Sequence, residues 1–488
     1  MKEIRQLAGQ TVIYGLGTIV PRFLNYGILT FMYTRIFPKE EYGIITELYA
    51  WMVLFQIILT YGMETGFFRF SQNQDEYKKV YSTTLISLLI TSSLFLILTN
   101  VFIKPFSEFL KYENNREYIR MFTAILAIDA FSAIPFARLR RHNKAKTFSI
   151  IKILNVVITI VVVIFFLVIA PHINSGSKQL PGWLYNPGFG VGYVFLANLA
   201  GSLCTMLMLL PWIIDIKPEF DREILKKMLG YSLPLLVAGL AGSINDAIDK
   251  LMLRRIIGEE NGLYTVGEYG AGYKIGVLMA LFVQMFRFAA EPFFFERAGK
   301  ADAKKTYAEV MKYFIIAMLI VFLGLNLYKS GIQYILGRDY RNSLVVVPMI
   351  SMAYLLYGIY MNHSIWYKIN NLTRYGIYIT LMGAAVTIAI NALFIPAYGY
   401  MASAWAHVFS YLTMIIASFI FASKHYKVEY QISRLIPYFI MAILMVAFAE
   451  LFQYKTIVSE IAVNTVFLIV FIAFAQYKDK LISKILNR

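Results

Sequence analysis

A chain of 488 residues that is 59% hydrophobic and only 15% charged, with a mean hydropathy of +0.60, lies far from the roughly 45 to 50% apolar content of soluble domains. A water-soluble enzyme is excluded, and the chain is an integral membrane protein. The formal net charge of +17 needs a membrane explanation first, and the single cysteine, Cys204, rules out an intrachain disulfide or a cysteine metal cluster.

In chain order, fourteen apolar runs are long enough to cross a hydrocarbon core of about 30 Å. They lie near 11–36, 43–70, 80–103, 118–138, 147–170, 188–212, 229–252, 267–292, 307–328, 344–367, 374–395, 400–423, 434–453 and 456–476. The first run exceeds a signal h-region and leads into Arg35 and Lys39 rather than a cleavage site, so it is expected to be retained as a span. Pro21 and Arg22 sit at its centre, where an arginine costs roughly 2.5 to 3.5 kcal/mol unless it meets a partner, water or a ligand. The longest connection, PHINSGSKQLPGWLYNP at 171–187, is too short for a soluble catalytic domain, so function must lie within the bundle.

Alternate connections carry about 29 and about 13 basic residues, and the richer set includes both termini. Both termini are therefore expected to be cytoplasmic, with the protein in the cytoplasmic (inner) membrane and RLRRHNKAK at 138–146 facing anionic headgroups. The net charge is topological, and no nucleic-acid partner is expected.

A shift of 227 positions superposes Glu41-Tyr42-Gly43 on Glu268-Tyr269-Gly270, Glu64 on Glu291 and Phe67-Phe68 on Phe294-Phe295. The repeat relates span two to span eight, dividing an all-α chain into two six-helix lobes related by a pseudo-two-fold axis, plus two extra helices. The expected boundaries are 1–222, 223–428 and 429–488. The segment 253–266, LRRIIGEENGLYTV, is expected to be a loop that interrupts the repeat and contributes to an outer gate.

PKEEYGIITELYAWMVLFQIILTYGMETGFFRF, residues 38–70, pairs an E-Y-G loop end with a span closing on a Y-G turn. It resembles the opening of polysaccharide and lipid-linked oligosaccharide flippases of the multidrug/oligosaccharidyl-lipid/polysaccharide exporter superfamily. The resemblance extends to the fourteen spans, since drug exporters of that superfamily usually stop at twelve. It implies two six-helix lobes that move a polyprenyl-diphosphate-linked saccharide outward by alternating access. The partners it implies are the lipid-linked saccharide, membrane lipids and a polysaccharide polymerase machinery. An ion-coupled drug or metabolite exporter is the alternative, and a membrane enzyme acting on lipid-linked sugars is disfavoured by short, chemically plain outer connections.

Charges inside the spans are the candidate site. Arg22, Lys250, Lys274 and Arg287 are the expected headgroup ligands, because arginine meets a diphosphate with a planar fork and lysine with a point charge. Asp129, Asp246, Asp249, Glu64 and Glu291 are expected to serve ion coupling or charge pairing, and spans 1, 2, 7 and 8 hold nearly all of these charges. Each has a plainer alternative as a salt bridge. Arg287 and Glu291 are four apart on one helical face, as are Asp246 and Lys250. Asp129 is either an ion-linked carboxylate or a hydrogen-bonded one, and Glu47 an interfacial acid. No nucleotide-binding GxxxxGK[ST] motif occurs, so coupling to protons, sodium or membrane potential is expected, without cofactor or metal. Tyr112, Trp183, Tyr185, Trp212, Tyr328 and Tyr454 are expected to anchor span ends at the interface. Tyr354, Tyr357, Tyr360, Trp366 and Tyr367 are expected to pack rather than stack on sugar.

Overall fold

The apolar runs fold as helices because hydrocarbon offers no partner for an open backbone amide. The computed structural model describes residues 15, 17–72, 76–176, 179–452 and 456–479, and among these there is no strand. Lys2, Arg5, the first residues of the expected opening span (11–14), Tyr454 and the basic residues beyond 479 lie outside the described residues.

The helices are α1 (17–36), α2 (Lys39–Phe70), α3 (Tyr77–Val101), α4 (Arg116–Arg141), α5 (Ala145–Asn174), α6 (Gly192–Ile214) and α7 (Arg222–Ile257). They continue with α8 (Glu259–Arg297), α9 (Ala303–Leu327), α10 (Arg338–Ile369), α11 (Arg374–Tyr398), α12 (Tyr400–His425), α13 (Ile432–Leu451) and α14 (Ile457–Asp479). Thirteen of these, α2 to α14, are long and apolar enough to cross a membrane, so the protein is a multi-pass membrane protein. Two helical threonines satisfy their hydroxyls locally: Thr34 donates to the Thr30 carbonyl at 2.8 Å and Thr46 to that of Tyr42 at 2.9 Å.

Two spans are broken. In α2, Tyr61 and Gly62 both adopt left-handed φ (32° and 71°), and α8 pauses at Val277 before resuming at Leu278. The stretch 253–266 is not the loop expected from the sequence. LRRII completes α7, Gly258 breaks the helix at φ 93°, and Glu259 and Glu260 open α8, where carboxylates favour the positive end of the helix dipole.

Contacts divide the chain into two units, residues 1–25 with 36–251 and residues 26–35 with 252–488. The division falls inside α7, beyond the boundary expected at 222–223. In the first unit α4 is central, 67% of its apolar window being buried, and it packs against α2, α3 and α6, with α5 on α6. In the second unit α10 takes that place at 61% buried, packing against α8, α9 and α12, with α11 on α12. The same pairings thus recur six helices later, which carries the repeat from three sequence matches to the internal packing of each unit. Outer helices such as α3 are only 22% buried and expose Leu89, Ile90, Leu94 and Ile97, as a lipid-facing surface requires.

The basic end of the first unit is tied together by Arg138, whose Nε donates to the Tyr77 hydroxyl at 3.0 Å and which also pairs with Asp215. Tyr77 Oη lies 2.8 Å from His142 Nε2, beyond the end of α4. Burial first, then the charges of Arg138 and Arg141, hold His142 below the ordinary histidine value. A lowered pKa favours the neutral ring, so its stabilising contribution is complete above the ordinary value and is lost as pH falls through the lowered one. The melting midpoint of wild type is expected to fall more than that of His142→Gln between about pH 7 and about pH 5. Parallel falls in detergent melts would remove His142 as the sensitive group.

Candidate functional site

In the first unit the charged side chains form a network around a residue that the sequence pattern does not single out. Lys152 lies on α5, roughly 10 Å along from its first residue, with its ammonium 4.1 Å from the Phe136 ring centroid. Asp129, Arg140, Glu64 and Arg22 all act on it electrostatically. Asp129, from the middle of α4, lies beside Ser202 of α6, and Glu64 is ion-paired with Arg140. Arg22, Glu64 and Asp129 therefore share one neighbourhood, joined by two basic residues, Arg140 and Lys152, that are not among the expected site residues. Glu47 is not interfacial: it is buried and accepts a hydrogen bond from Tyr112 at 2.6 Å, which also makes Tyr112 a buried partner rather than an anchor.

The cluster on α7 is separate. Lys250 Nζ donates to both carboxylate oxygens of Asp249, at 3.0 and 3.1 Å, and to the backbone carbonyl of Asp246 at 2.9 Å. Asp249 is fully buried and Lys250 nearly so, whereas Asp246 is exposed. The flexible lysine stem curls back onto its neighbour, so the ion pair is between adjacent residues rather than four apart.

In the second unit Lys274 is half-buried on the first segment of α8, and Arg287 and Glu291 lie on the second. Glu291 does not pair with Arg287 a turn before it. It is ion-paired with Lys368, at the end of α10, because α8 packs on α10 and brings that ammonium to the carboxylate. Arg287 is left with a buried Nε–H that has no hydrogen-bond partner among the described residues. It lines an open cleft of about 320 Å³, mouth included, whose polar side chains are Arg287, Glu291, Asn362 and Lys368 and whose apolar wall includes Phe286, Phe294 and Met361. The two ion pairs follow the repeat: Glu64 and Glu291 are 227 positions apart, Arg140 and Lys368 are 228, and each pair links the second to the fourth helix of its six.

Sequence reasoning missed Lys152, Lys368 and Asn362. The depth of Lys152 in its helix is the signal that could have found it, and the repeat that pairs Glu64 with Glu291 is the one for Lys368; the neutral amide carried none. Of the aromatics on α10, Tyr354, Tyr360, Trp366 and Tyr367 are buried, and Trp366 donates to Ser418 Oγ at 3.0 Å, so they pack.

Residues 7–298 match the family model described as polysaccharide biosynthesis protein. No curated protein is matched by sequence. Among solved structures the chain is similar to the lipid II flippase MurJ in an inward closed conformation, with a TM-score of 0.72 and 14% identity over 96% of this chain and 99% of that one. It is also similar to a multidrug resistance MATE family transporter of the MOP superfamily in an outward-facing conformation, with a TM-score of 0.62 and 17% identity over 86% of this chain and 94% of that one. The inward-facing form of such a transporter gives a TM-score of 0.57 and 16% identity over 85% and 95%. At such identities the likeness is one of fold. With well over half of its length matched by the family model, the chain belongs to the polysaccharide biosynthesis protein family, and its fold is that of the MurJ flippase and the MATE exporters.

Proposed function

We propose that this protein carries a polyprenyl-diphosphate-linked oligosaccharide from the inner to the outer leaflet of the cytoplasmic membrane, for surface polysaccharide synthesis. The observation that carries the reading is Arg287: a guanidinium with a buried, unmet N–H, lining a cleft, in a chain of the polysaccharide biosynthesis family. A membrane protein keeps such a group where an anionic ligand completes it. Arg22, Lys274 and Lys250 are the further headgroup ligands of this reading, with Lys250 exchanging Asp249 for phosphate. The Asp129–Lys152 neighbourhood is the place for proton, sodium or potential coupling, while Asp246, Asp249, Glu64 and Glu291 serve ion coupling or charge pairing, each within its own cluster. Both termini are cytoplasmic in this reading, following the basic connections, and a polysaccharide polymerase takes the product.

Flipping of a fluorescent prenyl-diphosphate saccharide in proteoliposomes tests it. Wild type is expected to translocate the lipid, and Arg22→Ala and Arg287→Ala, inserted and folded as judged by melting, to lose at least about tenfold, the worth of one hydrogen bond to a charged group. Wild-type rates in both variants would end the headgroup assignment. A wild type that moves drugs but no prenyl diphosphate would leave the exporter alternative.

A further inference from the structure

Asn362 is 4% exposed, lines the same cleft as Arg287, and neither its Oδ1 nor its Nδ2 has a hydrogen-bond partner among the described residues. A buried amide with both ends unmet is rare, since each end carries the full cost of desolvation. The ligand that relieves it must supply a donor and an acceptor together. An oxyanion alone would satisfy Nδ2 and repel Oδ1. A hydroxyl or an acetamido group satisfies both, because each can donate and accept. On the other side of the cleft Arg287 Nε–H asks for an anion, while Lys368 is occupied by Glu291. Phe286, Phe294 and Met361 complete the wall with apolar surface suited to the face of a sugar ring or the start of a prenyl chain.

We infer that Asn362 reads the sugar next to the diphosphate: the cleft between α8 and α10 takes a glycosyl phosphate, its anion on Arg287 and a ring hydroxyl or acetamido group on the Asn362 amide. The inference rests on the flippase reading above and adds to it a residue that selects for the glycan rather than for the lipid phosphate.

The test is binding to purified full-length protein of two kinds of probe, a prenyl diphosphate bearing one hexose or one N-acetylhexosamine and the same prenyl diphosphate without sugar. Wild type is expected to bind at least one sugar-bearing probe more tightly than the bare one. Asn362→Leu, similar in volume and without polar atoms, is expected to lose about tenfold for that probe, to keep its affinity for the bare one, and to melt no lower than wild type when empty. Arg287→Gln should lose both. Asn362→Ser, which keeps one hydroxyl in less space, should fall between wild type and leucine and serves if leucine does not fold.

Unchanged sugar preference in Asn362→Leu overturns the inference and leaves the flippase reading standing; the amide then holds ordered water only. Equal loss for both probes also overturns it, making Asn362 a phosphate ligand. Phosphatidylglycerol, which likewise carries a phosphate beside free hydroxyls, is added as competitor. If it displaces the sugar-bearing probe from wild type but not from Asn362→Leu, the site belongs to a membrane lipid and the substrate assignment is wrong. Wild type binding neither probe would defeat the flippase reading itself, and this inference with it.

Discussion

Replacing Asp479 by alanine is expected to cost the folded protein about 3 to 5 kcal/mol, because it strands a buried lysine. Lys312 of α9 donates to Asp479 Oδ1 at 2.7 Å, and the two side chains are only 12% and 5% exposed. Tyr438 of α13 donates to the other carboxylate oxygen at 2.6 Å, and the Tyr313 hydroxyl to the Asp479 carbonyl at 3.2 Å. One carboxylate at the end of α14 therefore fastens α13 and α14 to α9. Two comparisons separate charge from packing. Tyr438→Phe leaves the ion pair intact and is expected to cost about 1 kcal/mol. The double variant Lys312→Met with Asp479→Leu removes both charges and is expected to lie within about 1.5 kcal/mol of wild type, far from the sum of the single losses. Melting midpoints of the purified proteins in one detergent give the cycle. An Asp479→Ala protein that melts with wild type would mean that the pair does not hold the last two helices.

The spans were legible because apolar length is a direct consequence of hydrocarbon thickness, and the starts of α4, α9 and α11 fall within a few residues of the sequence expectation. The site was legible only in part, for a related reason. Helices continue past the apolar run: α4 reaches Arg141 where the pattern ends at 138, and α10 reaches Ile369 where it ends at 367. Arg140 and Lys368 fall in those extra turns, and Lys152 lies near the start of α5; a basic residue so close to a span end counts as a topology signal until a structure shows its partner. The pairing of Glu291 with Lys368 rather than Arg287 could not be read from spacing, since four-residue separation permits a contact without requiring it. The break at Val277 was equally hidden, because it does not interrupt the hydropathy, whereas the one at Tyr61–Gly62 falls on the Y-G turn of the sequence. Glu64 and Glu291 show how far a repeat can be trusted: the match in sequence extended to the partner helix, while Asp129 on α4 has Tyr357 at its counterpart on α10.

A methyl group at Gly337 is expected to loosen α1 at a cost of about 3 kcal/mol, at the upper end for overpacking. The backbone is not the obstacle, since φ −57° suits alanine. The obstacle is space: a Cβ there would sit 1.9 Å from the Thr34 carbonyl oxygen and 2.8 Å from its carbon, and main chain cannot rotate aside as a side chain can. Residues 26–35 of α1 belong to the second unit, and they are held at this point. The Gly337 N–H donates to Thr34 Oγ1 at 2.9 Å, and the Arg35 guanidinium donates to the carbonyls of Tyr334 at 2.6 Å and Ile335 at 3.1 Å. Relief of the overlap must lengthen these bonds, so Gly337→Ala should lose more than Arg35→Ala, which deletes three exposed hydrogen bonds, one of them to Phe31 within α1, but creates no clash. Gly331→Ala is the control, because nothing lies within 4 Å of its Cβ, and it should melt with wild type. The same helix carries Arg22, which groups with the first unit, so α1 is divided between the two. If Gly337→Ala melts lower and also flips lipid more slowly than Arg35→Ala, the anchoring of α1 contributes to transport through the placement of Arg22. If it melts lower and flips at the wild-type rate, the close approach at Gly337 serves stability alone.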